Sequence, residues 1–126
     1  MIDHITMAVR DVELSKVFYL KVFETLGYKV AFGTQNSFWA FDIGRGLFEI
    51  YQSKNNAKLT PFHVAFRASS YQMIHDFYNA AIEAGALDNG KPGPRPHYTD
   101  HYYACFVIDP DGNNIEAMHD VWNDWE

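Results

Sequence analysis

Cysteine is nearly absent from this chain. Cys105 is the only one, and a single thiol cannot close an intrachain disulfide. Basic residues are also scarce: ten Lys and Arg stand against sixteen Asp and Glu, a formal net charge of −6 that offers no electrostatic footprint for nucleic acid or for an anionic membrane surface. No apolar run approaches the ~20 residues that cross a bilayer as a helix. The N-terminus, MIDH, lacks the basic and apolar stretches of a signal peptide. These absences predict a cytoplasmic protein in a reducing compartment, whose partners are small molecules rather than nucleic acid or membrane. Gly44-Arg45-Gly46 has no third glycine and no helix behind it, which excludes a dinucleotide or phosphate loop. A nucleophile is equally unsupported, because Cys105 lies in an apolar run and no serine sits in a strained strand-to-helix turn.

What the chain does have is apolar and aromatic content, 48% and 17% of its 126 residues. That is enough for one core but too little length for two independent domains, so residues 1–126 are read as a single domain made of two small halves. In Ile2 to Val9, Ile5, Met7 and Val9 alternate with His4, Thr6 and Ala8, as in a strand with one apolar side. Asp11 can cap a helix whose stripe reads Leu14, Val17, Phe18, Val22, Leu26 and which stops at Gly27. Tyr28–Phe32, Phe38–Ile43 and Leu47–Gln52 form a three-stranded meander, separated by turn-forming residues. Lys54–Lys58 is polar and aperiodic, the one credible linker.

The pattern then restarts. Thr60 to Arg67 reads as a strand with Phe62, Val64 and Phe66 opposite His63, Ala65 and Arg67. Ser69 or Ser70 caps a helix with the stripe Ile74, Phe77, Tyr78, Ala81, Ile82 and a stop at Gly85. Phe18-Tyr19 lies 14 residues after His4, and Phe77-Tyr78 lies 14 after His63, the agreement expected of a duplicated unit. A Pro/Gly-rich stretch, Asn89 to Pro96, leads into the cluster His97 to Tyr103. Asp109-Pro110-Asp111-Gly112 has the residues of a type I turn, so Tyr102–Ile108 and Ile115–Met118 form a hairpin. His75 and His119 are read as solvated, and Trp122 and Trp125 as packing onto the body or a partner chain.

Each half therefore carries a histidine opposite the apolar stripe of its first strand, His4 and His63. Each also carries a glutamate opposite the stripe of its last strand, Glu49 between Phe48 and Ile50 and Glu116 between Ile115 and Ala117. Should the four faces converge, two imidazoles and two carboxylates suit a divalent cation such as Zn, Ni, Mn or Fe. Without a cation, two facing carboxylates would repel and one would take up a proton. Arg67, on the same face as His63, is a candidate anion contact, and His97, His101 and Tyr102 are candidate substrate contacts on a rim loop.

The two strand-helix-meander units, with His4, Glu49, His63, Glu116 and the run DPDGNNIE from Asp109 to Glu116, resemble the vicinal oxygen chelate superfamily. Glyoxalase I, extradiol dioxygenases, fosfomycin-resistance transferases and bleomycin-binding proteins belong to it. The resemblance implies an α+β fold of two tandem βαβββ modules, residues 1–58 and 59–126, whose eight strands form a cup-shaped mixed sheet with a metal on its floor. His4, His63 and Glu116 match the ligands shared by most of its enzymes, and Glu49 matches the fourth that glyoxalase I adds. The same resemblance implies a metal-dependent lyase or isomerase acting on a small oxygenated carbonyl compound through an enediolate, with Glu116 as ligand and base and Glu49 assisting. Ala8 and Ser53 stand where glyoxalase I holds its thiol cofactor with arginine and asparagine, a departure that argues against glutathione as co-substrate.

Two other functions fit the same scaffold. Bleomycin-binding relatives sequester a ligand without chemistry and characteristically lack the metal set. An Fe(II) extradiol-type dioxygenase would use His4, His63 and Glu116 as a facial triad, but Glu49 would then occupy a position that oxygen chemistry needs open. Exposed sheet edges and the tail tryptophans predict a homodimer.

Overall fold

The computed structural model describes residues 1–54 and 58–121. Trp122, Trp125 and the middle of the Lys54–Lys58 stretch lie outside the described residues. The described chain divides into two compact units, residues 1–60 and 61–126. In order, the elements are β1 (His4–Val9), α1 (Val12–Glu24), β2 (Lys29–Thr34), β3 (Phe38–Asp42), β4 (Leu47–Gln52), β5 (His63–Arg67), α2 (Tyr71–Glu83), β6 (Leu87–Pro94), β7 (Tyr103–Ile108) and β8 (Asn114–His119). These are two tandem βαβββ modules, each with a four-stranded mixed sheet, ordered β1-β4-β3-β2 in the first and β5-β8-β7-β6 in the second.

In the first unit Asp11 caps α1, its carboxylate accepting from the Leu14 amide at 3.1 Å. The chain leaves the helix through Gly27 at φ 78°, a left-handed conformation that favours glycine. The buried face of α1 is Val12, Ser15, Phe18, Tyr19, Val22 and Phe23. Leu14 and Val17, assigned to that face from periodicity, are instead exposed. The helix is apolar on more than one side, and its large aromatics decide the orientation. Phe23 packs edge-on against Phe41 and Phe48, with ring centres 5.2 and 5.4 Å apart, and each fully buried ring of this kind contributes roughly 1.5–3 kcal/mol. Phe48 and Ile50 thus face the helix, and Glu49 between them is turned to the other side of the sheet.

The second unit repeats the plan. Ser70 is the cap of α2, its hydroxyl accepting from the Met73 amide at 3.2 Å. Ile74, Phe77 and Ala81 form the buried face, while Ile82, placed in that stripe from sequence, is exposed. The strands at the start of each unit are shorter than their apolar patterns suggest, beginning at His4 rather than Ile2 and at His63 rather than Thr60. His75 and His119 are not simply solvated. His75 Nε2 lies 2.7 Å from the Tyr103 hydroxyl, and His119 Nδ1 donates to the Ala68 carbonyl at 2.9 Å; both ties run along the helix-facing side of β7 and β8.

The Pro/Gly-rich stretch forms β6, which the sequence patterns do not signal. It is an edge strand whose pairing with β7 is interrupted twice, between Asp88 and Gly90 and between Gly90 and Gly93. An edge is where a strand tolerates proline, because the missing N–H faces away from the ladder. The hairpin turn forms as its residues require: the Gly112 amide donates to the Asp109 carbonyl at 3.1 Å. The buried Asp109 carboxylate accepts from the amides of Asp111 at 2.9 Å and Asn113 at 2.8 Å, and from the Asn113 side chain at 3.1 Å.

Candidate functional site

Register puts the ligand-type residues of each unit on one face. In the first unit β1 runs parallel to β4 with Thr6 opposite Glu49, so His4 sits two positions away on the same side. In the second, β5 runs parallel to β8 with Ala65 opposite Glu116, and His63 sits two positions away. The histidine-to-glutamate offset is the same in both units, which is the geometric form of the repeat.

The second unit builds the tighter pair. His63 Nε2 lies 2.9 Å from Glu116 Oε1, and the hydroxyl of Tyr102 donates to Glu116 Oε2. Glu116 is only 3% exposed, so the simple expectation that an acid on a strand faces water fails here. The other nitrogen of His63, Nδ1, lies 3.0 Å from the Asn114 carbonyl oxygen. A carbonyl can only accept, so Nδ1 carries the proton and Nε2 is left to Glu116. A lone pair on Nε2 and a carboxylate lone pair cannot sit 2.9 Å apart unaided; a proton or a metal cation has to lie between them. Burial, and then the Glu116 carboxylate, push the Tyr102 phenol well above its ordinary range. It therefore keeps its proton and serves as a donor.

The first unit is more open. His4 Nδ1 donates to Asp3 Oδ1 at 2.8 Å, and Thr6 Oγ1 donates to Glu49 Oε1 at 3.1 Å. The Asp3 hydrogen bond, and secondarily the charge of Glu49, raise the His4 imidazole above its usual value. In both units, then, Nδ1 is tied to an acceptor and Nε2 is directed elsewhere. Metal-ligating histidines are typically oriented this way, by handing their second nitrogen to a carboxylate or a backbone carbonyl. The 2.9 Å between His63 Nε2 and Glu116 Oε1 is also near the lower end of the roughly 3.0–3.4 Å that separates neighbouring ligand atoms about 2.1 Å from one ion in octahedral to tetrahedral geometry. By donor chemistry and tautomer the residues fit a divalent cation. Among the described residues, no three His, Cys, Asp or Glu side chains gather as a metal-holding cluster; the ligand-type residues occur as pairs within the units.

The other expected contacts divide. Tyr102 joins the site directly. His97 packs at a tilt against Tyr98 with ring centres 4.3 Å apart, and Tyr98 packs edge-on against Tyr102 at 5.0 Å, so His97 is removed from Glu116 by two rings. His101 is exposed in the turn before β7. Arg67 Nη1 donates to the Asp120 carbonyl at 3.1 Å, which ties its guanidinium to the end of β8. Sequence reasoning missed Asp3 and the Asn114 carbonyl as orienting groups. Asp3 could have been found from its place beside His4; a backbone carbonyl leaves no mark in a sequence.

Comparison with known proteins agrees with this architecture. The sequence profile of the Glyoxalase/Bleomycin resistance protein/Dioxygenase superfamily matches residues 1–117. A search of curated proteins by sequence finds no match. Among solved structures, a glyoxalase/bleomycin resistance protein from Albidiferax ferrireducens T118 is 29% identical, with 95% of this chain and 99% of that one covered and a TM-score of 0.84. A glyoxalase/bleomycin resistance protein/dioxygenase family enzyme from Burkholderia phytofirmans PsJN is 18% identical over 93% and 96% of the two chains, with a TM-score of 0.74. A lactoylglutathione lyase from Agrobacterium tumefaciens is 17% identical over 100% and 98%, with a TM-score of 0.75; at that identity the likeness is one of fold. On the profile match over nearly its whole length, the chain belongs to the Glyoxalase/Bleomycin resistance protein/Dioxygenase superfamily.

Proposed function

We propose that the protein is a divalent-metal-dependent lyase or isomerase of glyoxalase type, acting on a small oxygenated carbonyl compound by moving a proton at the carbon next to the carbonyl. The observation that carries this reading is Glu116, a buried carboxylate with one oxygen against His63 Nε2 and the other against the Tyr102 hydroxyl. The ligands would be His63 and Glu116 with His4 and Glu49, of the same chain or of a second copy in a homodimer. A Zn, Ni, Mn or Fe ion held there supplies Lewis acidity, stabilising the negative charge that develops on two adjacent substrate oxygens.

The chain's own residues do the rest. Glu116 is the proton acceptor and returns the proton to the neighbouring carbon. Tyr102 fixes the rotation of that carboxylate through a hydrogen bond to Oε2 and keeps its own proton, so it orients the base without competing for the substrate proton. Asp3 and the Asn114 carbonyl hold the two imidazoles by Nδ1. Glu49, with Thr6 on one oxygen, is a ligand in this reading and the weaker candidate for proton transfer.

Screening 2-oxoaldehydes with and without thiols, hydroxy-ketones and catechols for solvent deuterium entering the carbon next to the carbonyl tests the proposal. Incorporation that requires metal, and that falls about 100-fold or more in Glu116→Gln, is the expected result. Oxygen consumption with a catechol would move the protein to dioxygenase chemistry. Tight binding without exchange, by metal-free protein, would make it a binding module. A monomer in sedimentation at micromolar concentration would remove the homodimer.

A further inference from the structure

The face of the second unit that carries His63 and Glu116 continues into a cavity of about 320 Å³, lined by Asn89, Gly90, Arg95, Tyr98, Phe106 and Asn114. Three of its lining residues neighbour the candidate site. Asn114 precedes Glu116 by two residues on β8, about 7 Å along the same face. Phe106 lies opposite Glu116 in the β7–β8 register, with its ring 6.1 Å from that of His63. Tyr98 packs on Tyr102, whose hydroxyl reaches Glu116. Gly90 keeps the space open, since a Cβ there would stand 2.8 Å from the Phe106 ring and 3.2 Å from Arg95 Nη2.

The lining is rich in donors. Arg95 uses three N–H groups on backbone carbonyls, those of Gly93 at 2.9 Å, Pro94 at 3.3 Å and Lys91 at 2.7 Å. Two of the five donors of a guanidinium remain, and among the described residues none of its hydrogen bonds reaches a carboxylate. Its positive charge is thus held in place by neutral groups. Asn89 donates to Asn114 Oδ1 at 3.2 Å, which turns the amide of Asn114 so that its NH2 is available. Asp88, the acid on the same strand, does not line the cavity; its carboxylate accepts from the Gly90 amide at 2.9 Å and hydrogen-bonds with Tyr78 of α2. In a chain of net charge −6, a fixed guanidinium beside an amide donor selects locally for what the protein as a whole repels.

We infer that this cavity is a carboxylate subsite, and that the substrate handled at Glu116 is a short hydroxy- or oxo-acid whose carboxylate is received by Arg95 and Asn114. The substrate assignment rests on the proton-transfer reading; the subsite itself rests on the cavity. The test is a titration of metal-stripped, ¹⁵N-labelled protein with malonate, and with malonamide as the neutral isostere, followed by NMR. Malonate shifts the Gly90 amide and the Asn89 and Asn114 side-chain amides in a saturable way, and malonamide does not. Arg95→Gln weakens malonate about tenfold or more, and Arg95→Lys retains part of the affinity because it keeps charge without the planar fork. Arg95 also braces the irregular β6, so Asn114→Leu is the second variant, with Arg95 intact and affinity reduced several-fold. Equal binding of malonate and malonamide, shifts outside the cavity, or unchanged affinity in Asn114→Leu and in a folded Arg95→Gln would overturn the subsite. The same titration in Glu116→Gln separates the two ideas. Retained malonate binding beside undiminished proton exchange sinks the catalytic reading alone, and lost exchange beside absent malonate binding sinks the subsite alone.

Discussion

Replacing Asp109 with Ala removes a buried carboxylate that accepts hydrogen bonds from the amides of Asp111 and Asn113 and from the Asn113 side chain. Hydrogen bonds to an ionised group contribute roughly 1.5–3 kcal/mol each, and a stranded buried donor costs about 1–3 kcal/mol. The turn lies beside exposed Pro110 and Gly112, so water can reach part of what is left unpaired. A loss of about 3–5 kcal/mol is therefore expected rather than the full sum, or on the order of 10–20 °C in Tm for a chain of this size. Asp109→Asn keeps one acceptor but sets an NH2 group against the Asn113 side-chain donor, and should lose about half as much. Urea and thermal melts followed by circular dichroism measure both. The same turn sets the register of β7 against β8, where Glu116 meets Phe106, so the variants should also weaken the proposed metal binding at temperatures where they remain folded. A loss under about 1 kcal/mol in Asp109→Ala would refute the view that this carboxylate holds the hairpin.

Glu13 Oε2 accepts from Trp39 Nε1 at 2.8 Å and from the Asn36 amide at 3.0 Å, tying the first turn of α1 to the β2–β3 connection. The Trp39 bond is the larger cause of a Glu13 pKa below its usual 4.5. A depressed carboxylate contributes stability that is complete above the unfolded value and is lost as pH falls through the folded one. The Tm difference between wild type and Glu13→Gln should therefore be full at neutral pH and shrink as acidification takes the solution below the ordinary carboxylate range; a difference that grows on acidification would contradict this. Burial pushes the Cys105 thiol up to about 12, leaving roughly one thiolate in ten thousand at about pH 8. An aromatic disulfide reagent should label it only as fast as the protein unfolds, and rapid labelling of native protein would show that the strand is not closed.

Much of the site was legible because strand alternation is strict. Placing Glu49 between Phe48 and Ile50, and Glu116 between Ile115 and Ala117, determines their faces once the apolar neighbours are buried against the helices. Helix α1 was harder. Leu14 and Val17 match the apolar period as well as Phe18 and Val22, and only packing against Phe41 and Phe48 selects Tyr19 and Phe23 for the interior. The edge strand β6 was illegible, since Gly90, Pro92 and Gly93 are loop signals by composition and the ladder that overrides them depends on β7. Tyr102 was found through its place in an aromatic cluster, but its bond to Glu116 and the bracing of Arg95 by backbone carbonyls depend on three-dimensional contacts alone.

The proposed cation is the most exposed part of the account, and elemental analysis of protein purified without chelator tests it directly. About one divalent ion per copy of the chain is expected in wild type, and none in a folded His63→Ala, Glu116→Ala double variant. Stoichiometric metal persisting in the double variant, or wild type that takes up no Zn, Ni, Mn or Fe when each is supplied, would contradict it.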